Sequence, residues 1–198
     1  MRSALDKLIS WTGLALVAVL LAAGGLLVWA NTFIGDQVHD QLVMQGITMP
    51  AGDAVTGLPK ADQKALEQYA GSKLDTGDEA KAFADHYILV HMNEASDGRT
   101  YEEVSGQFVA MTDTQKASPD GQALGQLRQT LFMGNTLRGL LLYGYAFATI
   151  GTIAGIAAIV AFGAGLLLLV LVTLGFWHAR RAEHTAERTV PVGVPQHA

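Results

Sequence analysis

The sequence predicts an all-α protein: two transmembrane helices flanking a helical extracytoplasmic domain. Two long uncharged apolar runs, the charge distribution around them, and helix-type spacing with no strand alternation between them predict this fold. The first run, LISWTGLALVAVLLAAGGLLVWANTFI, covers residues 8–34 without one Asp, Glu, Lys or Arg. As a helix it is about 40 Å long, more than the roughly 30 Å of a bilayer core. A cleaved signal peptide has an apolar region of only about 7–15 residues and small residues at its cleavage site. Here Trp29, Asn31 and Phe33 stand in that place, so the run is read as an uncleaved anchor.

The second run extends from residue 139 to residue 179, between Arg138 and Arg180. Two crossings would need a turn near GTIAGIAAIVAFGAG, which holds no Pro, Asn, Asp or charge, and lipid does not tolerate an exposed loop. Two crossings would also carry the Arg180–Arg181 pair outside, against the charge rule. One crossing is therefore expected. The surplus length is assigned to the outer side, with Tyr143, Tyr145 and Phe147 as an interfacial belt and Arg138 as an interfacial anchor. Leu140, Leu141 and Leu142 are expected to pack on the outer domain.

Arg2 and Lys7 precede the first run, and Arg180, Arg181 and Arg188 follow the second. Residues 35–136 between them hold 15 acids against 7 bases, a net charge of −8. Both termini are thus expected in the cytoplasm and the acidic segment outside a plasma membrane. The predicted divisions are a cytoplasmic N-terminus at 1–7, transmembrane helix 1 at 8–34 and an extracytoplasmic helical domain at 35–136. A long helix at 137–177 contains transmembrane helix 2, and 178–198 form a cytoplasmic disordered tail. Composition agrees: of 198 residues 50% are hydrophobic and only 16% charged, against about a quarter charged in soluble domains. Without cysteine the outer domain has no disulfides, and its acidity argues against nucleic acid as a partner.

Between the runs the first helix is expected to continue through DQVHDQLVMQ to a stop near Gly46. ITMPAGDAVTGLP reads as an extended connection, and PKADQKALEQYA as a helix with proline in its first turn that ends before Gly71. Thr76 and Glu79 form a capping box opening the central helix, with Ala80, Phe83, Ala84, Tyr87 and His91 inward. Thr100 and Glu103 form a second box, followed by Val104, Phe108 and Met111 as inward positions. A further helix starts at Ser118–Pro119.

The residues offer little catalytic chemistry. His86 and His91 are five apart, about 140° around a helix, so they splay where a shared metal wants i and i+4. His91 is read as a core histidine, and His39 with Asp36 as a solvated pair. There is no G-x-S-x-G, no cysteine and no phosphate-binding glycine loop. No catalytic residue, metal ligand or cofactor is assigned, and a non-enzyme is expected. The acids of DTGDE and YEE sit at helix starts, where they favour the helix dipole.

The candidate functional positions are instead small residues suited to close helix packing. In the first run Ala15, Ala18, Ala22 and Gly25 repeat at spacings of 3 and 4. In the second, Gly151, Ala154, Ala158, Ala161 and Gly165 do the same, with Gly155 adding a GxxxG. Two antiparallel helices of one chain would use such a seam most simply, and an oligomer could use the Gly151–Gly155 face.

Three stretches, SWTGLALVAVLLAAGGLLVWANTFIGDQVHDQL, ADHYILVHMNE with GRTYEEVS, and LFMGNTLRGLLLYGYAFATIGTIAGIAAIVAF, carry a resemblance. They resemble a group of two-span actinobacterial membrane proteins whose members often bear the label "aromatic ring-opening dioxygenase". Such dioxygenases need iron held by His and carboxylate ligands, a set not found in this sequence. The resemblance implies the two-span topology and a cell-envelope setting. The function expected is an accessory or scaffold protein whose partners are membrane lipids and an envelope protein or a second copy. The alternative is a receptor-like binding module for a small molecule or lipid.

Overall fold

A computed structural model describes residues 2–188, and they are helical almost throughout. Two helices dominate: α1, Arg2–Met44, and α8, Pro119–Arg188. Within them Lys7–Met44 and Pro119–Arg181 are long and apolar enough to cross a membrane. The chain forms two compact units. One comprises residues 2–31 with 153–188, the other Thr32–Thr152.

Both long helices outrun the expected boundaries. Residues 2–7 and 178–188 are helical, and 189–198 lie outside the described residues. Nor does α8 restart near Asn135. No proline occurs between Pro119 and Pro191, and without one nothing in the backbone forces a break. Pro119 itself sits at the first helical position, where its missing N–H costs nothing. α1 ends as expected, at Gly46, whose φ of 65° is a conformation that suits glycine.

The Thr32–Thr152 unit adds six short helices. α2 is Asp53–Thr56, α3 Lys60–Glu67, α4 Gly77–Phe83, α5 Leu89–Ser96, α6 Tyr101–Ala110 and α7 Asp113–Ala117. The expected capping boxes at Thr76–Glu79 and Thr100–Glu103 are both formed. A third, Thr112–Gln115, opens α7, and its T-x-x-Q signal was present in the sequence. The connection read as extended contains the single turn of α2. On either side of it, Met49 N–H donates to Ser72 O at 2.9 Å and Leu74 N–H to Ile47 O at 3.0 Å. This clasp carries Met49 and Leu74 into the core.

α4 and α5 are joined by a π-helical turn, Ala84–Ile88, in which Leu89 N–H reaches back to Ala84 O. The wider turn adds about one residue relative to an α-helix, a rotation of roughly 100°. The inward stripe is shifted by one position after Ala84. Ile88, Met92 and Ser96 are buried, the expected Tyr87 is half-buried against the core, and the expected His91 is not. His91 is exposed, its Nδ1 2.8 Å from Tyr87 O. It is not a core histidine.

α8 gathers this unit through its glycines. A Cβ at Gly121 would lie 2.1 Å from Gln115 O, at Gly125 2.9 Å from the Phe108 ring, and at Gly134 2.5 Å from Met92 Sδ. Beyond them Leu131 and Leu141 are fully buried, with Leu142 packed on the core. Leu140, expected beside them, is 58% exposed.

Gly121→Ala should destabilise the protein by about 1–3 kcal/mol, because its obstacle is backbone that cannot rotate away. Gly139→Ala, with nothing within 4 Å, should be neutral or stabilise by up to about 1 kcal/mol through helix propensity. Thermal unfolding of the full chain in detergent checks both; equal effects would contradict the packing described.

Candidate functional site

Three features stand out: a buried polar knot with the ion pairs near it, a glycine-keyed helix pair, and a groove with mixed lining.

Glu79 is 7% exposed and accepts four hydrogen bonds. Ser72 Oγ donates to Oε1 at 2.7 Å; the Asp75 and Thr76 N–H groups donate to Oε2 at 3.0 Å, and Thr76 Oγ1 does so at 2.9 Å. Burial alone would raise this carboxyl's pKa, but the donors outweigh it and hold the group below its ordinary value. The knot ties the 72–76 loop to α4 and leaves no oxygen free for chemistry.

At the π-turn, Arg138 Nη2 donates to Asp85 Oδ1 at 2.8 Å, and Lys81 pairs with Oδ2. The Asp85 carboxyl is likewise lowered: burial works against ionisation, and the hydrogen bonds from Lys81 and Arg138 prevail. Arg138 was expected at the membrane interface. Within the Thr32–Thr152 unit it is held by Asp85, and its buried Nε finds no partner among the described residues. His86 Nδ1 lies 2.7 Å from Asp62 Oδ1, a contact between α3 and the π-turn. Among the described residues no group of three His, Asp or Glu side chains could hold a metal ion.

In the other unit α1 and α8 pack antiparallel. Their contacts pair a glycine on one helix with a larger side chain on the other. A Cβ on Gly175 would meet Ser10 Oγ at 2.7 Å; on Gly13, Val172 at 2.5 Å; on Gly24, the Phe162 ring at 3.0 Å; and on Gly155, Asn31 Oδ1 at 2.8 Å. Gly165 faces Leu20 at 3.5 Å.

Of the small residues singled out on α8, Gly151 belongs to the Thr32–Thr152 unit and the others to this one. Gly151, Ala158 and Gly165 are buried, and Ala154, Gly155 and Ala161 half-buried. On α1 the structure departs from the expectation. Ala15, Ala18, Ala22 and Gly25 are all exposed, and Gly25 has nothing within 4 Å. The face used is Ser10, Gly13, Val17, Leu20, Gly24, Leu27 and Asn31, also spaced 3 and 4. A small-residue stripe on α8 leaves room for large residues opposite, so smallness alone did not locate the matching face.

Two grooves flank the long helices. One, about 720 Å³, runs beside Gly13 and Gly175 in the first unit; its lining is apolar apart from Ser10, Thr12 and His178. The other, about 480 Å³, lies in the Thr32–Thr152 unit between residues 33–44 of α1, with Gln45 of the turn after it, and 140–150 of α8. It combines Phe33, Ile34, Phe147 and Ile150 with Gln37, Gln41, Gln45 and Tyr143. The glutamines recur every four residues, a signal readable in the sequence that was passed over.

The fold and site define an all-helical protein with two helices long and apolar enough to cross a membrane. No family model, curated protein or solved structure matches the chain significantly.

Gly24→Leu should lower the thermal midpoint, with overpacking against Phe162 costing about 1–3 kcal/mol. Its neighbour Gly25→Leu should be tolerated, and equal sensitivity of the pair would refute the register.

Glu79 and Asp85 both have lowered folded-state pKa values. They therefore contribute stability that is complete above the ordinary carboxylate range of about pH 4 and lost as pH falls through the folded values. Melting in detergent should be flat from pH 7 to about pH 5 and decline below. Glu79→Gln should cost about 1–2 kcal/mol at pH 7 and flatten the acid limb; an unchanged limb would remove Glu79 from the account.

Proposed function

We propose that this chain is an integral membrane accessory or scaffold protein of the cell envelope. Its acidic helical unit faces outward and both termini lie in the cytoplasm. The observation that carries this reading is the direction of the apolar surface. In the most apolar windows of α1 and α8 only 11% and 17% of the residues are buried inside the protein. Core helices of a soluble protein would hide such faces, whereas Leu26, Ile159, Val160 and Leu167 stand at least 64% exposed. Apolar patches of that extent need a non-aqueous environment, and lipid supplies it. Arg2, Lys7, Arg180 and Arg181 flanking the runs favour a cytoplasmic position for both ends.

The role assigned is that of a platform. Glu79, Asp85, Glu103 and Arg138 of the outer unit are engaged in caps, ion pairs and the Glu79 knot, a pattern that supports a structural role. Phe83, Tyr87 and His91 form an aromatic ladder, with ring centroids 5.0 and 4.4 Å apart. Such partly exposed aromatics suit contact with another envelope protein. A second reading, a binding module for a lipid, is favoured by the glutamine-lined groove.

The topology is testable because the chain lacks cysteine. Single cysteines at Ser3, Glu102 and Thr189 should give a protein that resists alkaline extraction from membranes. An impermeant thiol reagent applied to intact cells should label only position 102. Labelling at 189 would require α8 to cross differently and would overturn the orientation.

A further inference from the structure

The groove between residues 33–45 and 140–150 is graded along its length. Phe33, Ile34, Phe147 and Ile150 line one end and belong to the two uncharged runs, 8–34 and 139–179. Toward the other end Gln37, Gln41 and Gln45 follow at i, i+4 and i+8, past the first charged residue, Asp36. Tyr143 lies opposite. A molecule filling this space meets hydrocarbon at one end and, beside Val38, Leu42 and Leu140, neutral hydrogen-bonding groups toward the other.

We infer that this groove binds a membrane lipid with an uncharged, hydroxyl-rich headgroup, a glycolipid by chemical class. A carboxamide both donates and accepts hydrogen bonds, as does a sugar hydroxyl, and three in a row match such a headgroup. The three glutamine side chains and Tyr143 show no side-chain hydrogen bond among the described residues. Charge excludes the commoner alternative. No lining residue is charged, the nearest ionisable groups on α1 include Asp36 and Asp40, and Arg138 is held by Asp85. A phosphate headgroup wants Arg or Lys, and the lining supplies neither. At about 480 Å³ the space falls within the roughly 300–1,000 Å³ usual for small-molecule sites. The 720 Å³ groove of the other unit lacks this polar end, and any acyl chain fills it equally well.

This inference rests on α1 and α8 crossing a membrane, and the experiment separates the two. Full-length protein is reconstituted with equal amounts of monoglucosyl diacylglycerol, phosphatidylglycerol and phosphatidylcholine. Retained lipid is then read by native mass spectrometry. Wild type should retain the glucolipid preferentially. Gln37→Leu/Gln41→Leu, which keeps good helix formers, should lose that preference about tenfold, the effect of two hydrogen bonds. Tyr143→Phe should lose a smaller part, and Gln126→Leu elsewhere on α8 none. Preference for phosphatidylglycerol, or equal retention by wild type and double variant with unchanged circular dichroism, overturns the groove assignment. Release of the protein from membranes by alkaline carbonate overturns the membrane reading on which it stands.

Discussion

Close approach at glycine is the constraint on which the structure depends. Along α8, Gly134, Gly144, Gly155, Gly165 and Gly175 recur every 10 or 11 residues, three turns of a helix. At Gly134, Gly155 and Gly175 a side chain enters the space a Cβ would fill (Met92, Asn31 and Ser10), while Gly144 and Gly165 lie in ordinary contact with Leu42 and Leu20. α1 answers with glycines of its own, Gly13 under Val172 and Gly24 under Phe162. Steric complementarity of this kind sets register more sharply than apolarity does. In lipid every apolar face is equally satisfied, and packing has to discriminate.

The polar interactions follow from the same geometry. Gly77 approaches α8 so closely that its Cβ would lie 2.5 Å from Ala148 Cβ, which brings the start of α4 against the long helix. Glu79, two residues on, is buried in consequence. A carboxylate in that position is tolerable only with its oxygens satisfied, and Ser72, Asp75 and Thr76 supply the donors. The Asp85–Arg138 pair serves a comparable end at the π-turn, holding the wider turn against α8. Tethers at both ends of the central helix let it keep a register that an uninterrupted α-helix would lose.

Function follows from what these contacts leave uncovered. The packed faces of the two long helices are narrow, so most of their apolar surface remains exposed. Where the apolar lining of α1 gives way to glutamines, the spacing that positions Leu42 against Gly144 leaves an open channel beside it. The proposed platform and the proposed lipid site are therefore both consequences of helices held close on one edge.

Much of this was legible in the chain before folding. Runs without charge and without proline determine long apolar helices, because no proline in them breaks a helix and no charge in them pays to leave water. Capping pairs at Thr76 and Thr100 marked helix starts through local hydrogen bonding, and the α8 seam was readable because its small residues form one stripe. Other features depended on residues distant in sequence. The π-turn answers to Asp62 and Arg138, brought in from α3 and α8, and by adding one residue it put Ile88 and Met92 in the core, left Tyr87 at its edge and turned His91 out. The packing face of α1 was undetermined for a similar reason: two of its stripes are spaced 3 and 4, and only the shape of α8 opposite selects between them. Local chemistry specified the helices; the sizes of side chains meeting across space decided which face each helix presents.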